Sequence, residues 1–180
     1  LILDEIELTG FAATPEQISI PLINCFRLAG IELDEIKSTV EGLTSSVSIN
    51  NLQEKLSELV TQHINKVWPE HPIKIKFQIS SNKISLLIED DGVKFKVKTT
   101  GQRSDGFRQF ISFLLTLSVE NYNGELENTI LLIDEPEVHL HPPAQLNLLK
   151  ELIEITKNKR NNIVFFATHS NYLIDKKNLD

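Results

Sequence analysis

The residues best equipped for chemistry are Asp134 and Glu135. They follow Thr129 and the uncharged run Ile130-Leu-Leu-Ile133, and they precede Pro136-Glu137-Val-His139-Leu-His141-Pro142. A short apolar run bounded by charge and proline predicts a strand buried on both faces, as in a parallel sheet. The two carboxylates then stand at its carboxyl end, where open α/β sheets bind ligands. Adjacent carboxylates there can serve a divalent cation and an activated water. A plainer reading also fits: Glu135 and Glu137 complement the positive end of a helix that begins near Pro142.

Two other segments carry polar groups at places that matter. Gly101-Gln-Arg103-Ser104-Asp105-Gly106-Phe-Arg108-Gln109 leads into Phe110, Ile111, Phe113, Leu114, Leu115 and Leu117. This predicts a helix with Ser104 as its N-cap. Its free amides, the hydroxyl, Arg103 and Arg108 make an anion site, although plain capping and a tight turn explain the same residues. The third segment, Phe166-Ala-Thr168-His169-Ser170, closes a second apolar run, Ile163–Ala167. Between the two runs, Pro142-Pro143 starts a helix over 142–157 whose inner face is Leu146, Leu149, Leu152, Ile153 and Thr156, and Asn161-Asn162 makes a turn. Residues 129–167 therefore read as a βαβ unit with parallel strands. Both strands end on one edge, which delivers Asp134, Glu135 and His169 to one place, with a further helix starting at Ser170. His139, His141 and His169 with Glu137 would alternatively make a zinc hydrolase, but nothing else completes that ligand set.

Upstream elements must position these groups. Residues 1–8 alternate weakly and predict a short strand. Thr14-Pro15-Glu16-Gln17 predicts a helix start with Thr14 as cap and Gln17 closing a capping box. Ile18, Leu22, Ile23, Phe26 and Ala29 follow at helical spacing, with Pro21 as a kink or restart and Gly30 as the stop. Residues 31–43 are ambiguous. A clearer helix is predicted from Asn51, with Leu52, Leu56, Leu59, Val60, Ile64, Val67 and Trp68 on one face and His63 beside it as a packed histidine. From 73 to 98 the period becomes two. Turns at Ser81-Asn82 and Asp91-Gly92 predict a three-stranded meander. The first turn sets Phe77 against Leu86 and Ile75 against Ile88, and the second sets Ile88 against Phe95 and Leu86 against Val97. The opposite face collects Lys74, Lys76, Lys83, Lys94, Lys96 and Lys98, with Glu89 against Lys94. It is either a solvated face or a phosphate-contacting one.

The 180 residues suffice for one sizeable core, organised as a helical part (1–72), a meander (73–99) and the βαβ part with its preceding helix (100–180). The net charge of -7 argues against generic nucleic-acid coating. A single cysteine, Cys25, excludes an internal disulfide framework and a cysteine zinc cluster. No segment reads as a membrane span or a signal peptide, so the expected location is the cytoplasm. The chain contains no methionine and reads as a piece of a longer protein.

The order Ser104-Asp-Gly-Phe-Arg-Gln, then Ile130-Leu-Leu-Ile-Asp-Glu-Pro-Glu-Val-His-Leu-His-Pro, then Phe166-Ala-Thr-His-Ser resembles ABC-type ATPase heads of the branch that includes RecF, SMC-like proteins and the OLD-type ATPases. The resemblance covers 104–170. It implies a P-loop NTPase lobe of α/β class that uses ATP and Mg²⁺ and closes as a homodimer. In it, Ser104, Asp105 and Gly106 would be the signature motif on the partner's γ-phosphate, with Arg108 and Gln109 supporting that helix. Asp134 would be the Walker B ligand of Mg²⁺, Glu135 the general base, and His169 the switch histidine. Leu140 and His141 would lie where the D-loop crosses the dimer seam. ATP turnover would then drive a nuclease, a DNA-processing partner or a phage-defence effector; the alternative is a nucleotide-gated assembly module that does not hydrolyse. One departure is large: none of the seven glycines belongs to a Gly-x-x-x-x-Gly-Lys-Ser/Thr loop. In the family that element lies near the N-terminus, which truncation would remove, and this chain alone is expected to bind ATP poorly.

Overall fold

The structure, a computed structural model, describes residues 5–69, 72–90, 97–99, 105–120, 126–138, 140–157 and 161–174. Alternating patterning builds the first sheet from β1 (Glu5–Glu7), β2 (Ile73–Ser80), β3 (Lys83–Asp90) and β4 (Val97–Thr99). β3 is central, with β2 along one side and β1 and β4 along the other, all antiparallel. Ile73, Ile75, Phe77, Ile79, Ile84, Leu86 and Ile88 are all buried, so one face of the sheet is core. Phe77 faces Leu86 and Ile75 faces Ile88, the expected register. Ser81 and Asn82 both have positive φ, 49° and 62°, as the tight hairpin turn matched to strand twist demands.

The second expected register is displaced. Residues 91–96 lie outside the described residues, but Ile88 pairs with Lys98, Leu87 with Thr99 and Glu89 with Val97. Moving the partner of Ile88 from 95 to 98 is an odd shift, which exchanges faces. Leu86 and Leu87 are consecutive, which places an apolar residue on each face, so alternation could not choose between the registers. Glu89, expected against Lys94, pairs instead with Val97 on one side and Lys74 on the other, and binds Lys76 at 2.8 Å. β1 brings Glu5 and Glu7 onto the lysine face, opposite Ser85 and Lys83, and Lys83 binds Glu5 at 3.0 Å. The described part of that face is thus mixed in charge. Lys94 and Lys96 lie outside the described residues.

Helices cover the apolar face. The helix expected from Thr14 is broken at Ser19 into α2 (Pro15–Ile18) and α3 (Ile20–Leu28), after α1 (Leu8–Ala13). Thr14 makes no side-chain cap. Ser19 is the effective one, its Oγ accepting from the Leu22 amide at 3.2 Å, and Pro21 restarts the helix in its first turn. Gly30 ends α3 at φ 67°. A 3₁₀ turn (Leu33–Glu35) and α4 (Ile36–Glu41) occupy the ambiguous stretch. Phe11, Cys25, Phe26, Ile36, Leu56 and Val60 are fully buried in the core.

α5 runs from Ser46 to Val67 and so begins before Asn51. Ser45 caps it, its Oγ accepting from the Ser48 amide while Ser48 Oγ accepts from the Ser45 amide. This is a capping box with Ser in place of the usual Glu or Gln, which is why the sequence pattern missed it. Its polar flank does more than face water. Gln53, Ser57, Thr61 and Asn65 recur every fourth residue and meet the free edge of β2 at Ile79, Phe77, Ile75 and Ile73. Thr61 Oγ1 accepts from the Ile75 amide at 2.9 Å and donates to its carbonyl at 3.1 Å. Asn65 does the same for Ile73, at 3.0 and 2.9 Å. Four helical residues rise about 6 Å and two strand residues about 6.7 Å, so the rungs stay in step. An edge otherwise open to another strand is closed.

His63 is buried on the apolar side of α5. Burial, aided by Lys66, pushes its pKa down to about 4. The unfolded chain binds this proton with a pKa of about 6.5, so between those values the unfolded state holds more protons and stability falls as pH falls. Replacing His63 with Leu is expected to flatten the pH dependence of the urea midpoint between about pH 6.5 and pH 4; an unchanged slope would count against a neutral buried His63.

The second sheet pairs β5 (Ile130–Asp134) with β6 (Ile163–Ala167) in parallel, joined through α7 (Pro142–Lys157). Before it, α6 (Asp105–Phe113) runs into a π-helical turn (Leu114–Ser118) whose Thr116 carbonyl accepts from buried Asn24 at 3.3 Å. Trp68 packs edge-on against Phe110, centroids 4.9 Å apart. α7 presents a face that only partly matches the one expected: Leu152 is buried and Leu149 packs on the core. Ala144, Asn147, Leu148, Leu152 and Ile155 are buried, whereas Leu146 is exposed and Thr156 lies outside. Leucine and isoleucine occur all round this helix, so periodicity alone did not select the stripe. The expected helix at Ser170 is a turn over 170–174 among the described residues.

β5 and β6 are not buried on both faces. Ile133, Val164 and Phe166 pack on the core, but Ile130, Leu132, Ile163 and Phe165 are exposed. No described residue covers them. Leu132→Glu and Phe165→Glu should therefore move stability by less than about 1 kcal/mol while lowering self-association by light scattering. A collapse of the fold would show that face to be covered.

Candidate functional site

The site is assembled by strand register. Ile130 through Asp134 face Ile163 through Ala167, and the Glu135 amide extends the ladder to the Ala167 carbonyl at 2.9 Å. Both chains leave the sheet at one edge, so Asp134, Glu135 and His169 meet there as expected. Glu135 has φ 43°, a left-handed backbone that costs a non-glycine residue about 1 kcal/mol or more and is commonest at functional sites. The turn beyond it closes through the Val138 amide to the Glu135 carbonyl at 3.2 Å and the Leu140 amide to the Glu137 carbonyl at 2.9 Å. Glu135 Oε1 lies 3.0 Å from His169 Nε2, and the two side chains are 43% and 90% exposed. A carboxylate, an imidazole and the exposed carboxylate of Asp134 thus share one solvent-facing edge.

Beneath them lies a buried carboxylate that the sequence offered as a complement to the positive end of the helix near Pro142 or as a zinc ligand. Glu137 is 7% exposed. Its Oε1 accepts from the His169 amide at 3.0 Å, the Ser170 amide at 3.2 Å and the Thr168 hydroxyl. Burial raises its pKa, but the Thr168 hydroxyl and the backbone amides outweigh burial and hold the carboxyl below its ordinary range. Ser170 Oγ bonds to Gln145 Oε1, and Gln145 Nε2 donates to the Leu140 carbonyl at 2.7 Å. Glu137 therefore serves the loop after β6 and not the start of α7. Glu137 lies in the run that carries the resemblance but takes no role from it, and Gln145 lies outside it; only the fold shows what they hold. Asn162 was likewise read as a plain turn residue. It is buried, accepting from the Thr129 amide at 3.1 Å and donating to the Leu126 carbonyl at 2.7 Å, and so ties down the start of β5.

The other expected site residues are placed less closely. His141 is exposed, and its carbonyl accepts the first helical bond of α7, from the Gln145 amide at 3.1 Å. Asp105 and Gly106 open α6, but their side chains lie outside the described residues, as do Ser104 and His139 entirely. No described contact carries the start of α6 to the Asp134 edge. Among the described residues no group of three or more His, Cys, Asp or Glu could hold a metal; His139, which the zinc alternative needs, lies outside them. Magnesium asks for less, since it keeps waters and takes one or two carboxylates plus phosphate oxygens. An exposed Asp134 at a strand tip suits that demand.

The family described as "AAA domain, putative AbiEii toxin, Type IV TA system" matches residues 27–175. The chain belongs to this AAA family. It is 32% identical over 122 residues to the uncharacterised protein MJECL43 of Methanocaldococcus jannaschii, covering 65% of this chain and 31% of that protein. It is 26% identical over 134 residues to the Old nuclease of Escherichia phage P2, covering 68% of this chain and 22% of the nuclease. The AAA chain thus spans about a third or less of both relatives. In fold it is similar to an Smc head crystallised with the C-winged helix domain of ScpA, with a TM-score of 0.52 and 15% identity over 93% of this chain and 46% of the head. In fold the AAA chain is an α/β, P-loop NTPase-like lobe similar to that Smc head. Among its described residues no helix is long and apolar enough to cross a membrane.

Proposed function

We propose that this AAA chain supplies the water-activating half of a Mg²⁺-dependent ATPase site in a longer parent protein. The observation that carries the reading is the meeting of Asp134, Glu135 and His169 at one strand edge, with Glu135 and His169 at 3.0 Å. Asp134 holds Mg²⁺ at the strand tip. Glu135 takes the proton of the attacking water. His169, exposed and bonded to that carboxylate, senses the γ-phosphate. Ser104, Asp105 and Gly106 contact the nucleotide of a second copy, with His141 near the seam between the two heads. Closure on ATP and opening after hydrolysis drive a nuclease or another DNA-processing or defence effector; similarity to the Old nuclease is what favours a nuclease.

The test is Mg²⁺-dependent phosphate release and ATP-dependent dimerisation of the parent, set beside this chain alone. Turnover by the parent and none by the 180 residues, which contain no phosphate-binding Gly-Lys loop, is the expected pair. Tight ATP binding without phosphate release would instead identify a nucleotide-gated assembly module. DNA contact through the lysine face has its own measurement. Exchanging Lys76, Lys94 and Lys96 for Glu should weaken binding and flatten its salt dependence. Unchanged binding leaves a solvated face, which the Lys76–Glu89 and Lys83–Glu5 pairs favour.

A further inference from the structure

We propose that Glu137 is a positioning residue of this site: its carboxylate holds the 168–170 turn so that His169 is presented to Glu135, and Gln145 locks the same turn to the start of α7. This rests on the ATPase reading of Glu135 and His169. The imidazole of His169 is 90% exposed, so packing cannot hold it, and its place is set by its own backbone. That backbone is held by Glu137, one of whose oxygens gathers the His169 amide, the Ser170 amide and the Thr168 hydroxyl. Bonds from several donors to one carboxylate oxygen are charge-assisted and directional. Burying a carboxylate is costly compared with an apolar residue of similar size, so Glu137 is a poor choice for packing and a good one for fixing a loop.

Gln145 completes the clamp from the other side. It accepts from Ser170 Oγ and donates to the Leu140 carbonyl, while Ser170 Oγ also accepts from the Tyr172 amide at 3.0 Å. The turn after β5, the turn after β6 and the first turn of α7 are thereby joined by side chains. A displacement near His141 would reach His169 through Gln145 and Ser170. Glu137 touches no reacting atom in this arrangement; it acts through His169.

The experiment has two arms. In the 180-residue chain, amide hydrogen exchange is followed by NMR in wild type, Glu137→Gln, Glu137→Ala and Gln145→Ala. Glu137→Ala should speed exchange at His169 and Ser170 by about tenfold or more, with Val164 to Phe166 of β6 unchanged. Glu137→Gln keeps one acceptor oxygen and should fall between. In the parent, Glu137→Ala should lower kcat by about tenfold with KM for ATP little changed, and Glu137→Gln should recover part of it. If Glu137→Ala does not fold, Glu137→Gln and Gln145→Ala carry both arms.

Unchanged exchange at His169 and Ser170 overturns the proposal. So does faster exchange with unchanged kcat in a parent that Glu135→Gln inactivates. A parent whose turnover ignores Glu135→Gln sinks the ATPase reading and the positioning role built on it, while the exchange arm still reports whether Glu137 holds the turn.

Discussion

Glu135→Gln in the full-length parent is expected to lower Mg²⁺-dependent phosphate release by about 10²- to 10⁴-fold, the range a positioned general base contributes, with ATP binding retained. The substitution is nearly isosteric. Glutamine keeps an oxygen that can accept from His169 Nε2, now 3.0 Å from Glu135 Oε1, so the edge should hold its shape. What is lost is the ability to take a proton. ATP-bound dimers should therefore accumulate, measurable by size-exclusion chromatography with and without ATP. Asp134→Asn is expected to fail differently, by weakening the Mg²⁺ dependence itself. Turnover that survives Glu135→Gln would show that the pair at the tip of β5 is not the hydrolytic element.

The largest expected effect on stability lies away from that edge. Thr61→Val should cost about 2–6 kcal/mol, because it removes both partners of Ile75 on β2 and leaves an amide and a carbonyl unpaired at about 1–3 kcal/mol each. Valine has the volume and β-branching of threonine, so helix propensity and packing barely change. The loss therefore isolates the two hydrogen bonds of 2.9 and 3.1 Å. Thr61→Ser, which keeps the hydroxyl, and Gln62→Ala, which removes only an exposed bond to Glu58, should each cost about 1 kcal/mol or less. Urea unfolding of the three variants decides the matter. Equal midpoints for Thr61→Val and Gln62→Ala would mean that water satisfies the edge of β2 and the helix ladder contributes little.

The placement of Asp134, Glu135 and His169 could be read from the chain because it depends on local facts. Two apolar runs of strand length, one intervening helix and parallel pairing put both strand tips on one edge whatever surrounds them. The Ser81-Asn82 hairpin was legible for the same reason: a two-residue turn dictates its register. Legibility failed where the deciding interaction is distant in sequence or where the pattern is degenerate. Leu86 and Leu87 allow either register with β4. Leucines all round α7 allow several inner faces. Ser48 stands in a capping box where Glu or Gln is usual.

By itself the sequence determined the βαβ order of the second sheet, the buried face of β2 and β3 and the three groups gathered at one strand edge, since hydrophobic period and turn chemistry act over a few residues. Only the tertiary structure decided that Gln53, Ser57, Thr61 and Asn65 close the free edge of β2, that no described residue covers one face of β5 and β6, and that Glu137 reaches across to the backbone of His169. Each of these depends on which backbone amides and carbonyls, or which apolar surfaces, lie near a side chain after folding. Residue type and spacing do not encode that proximity.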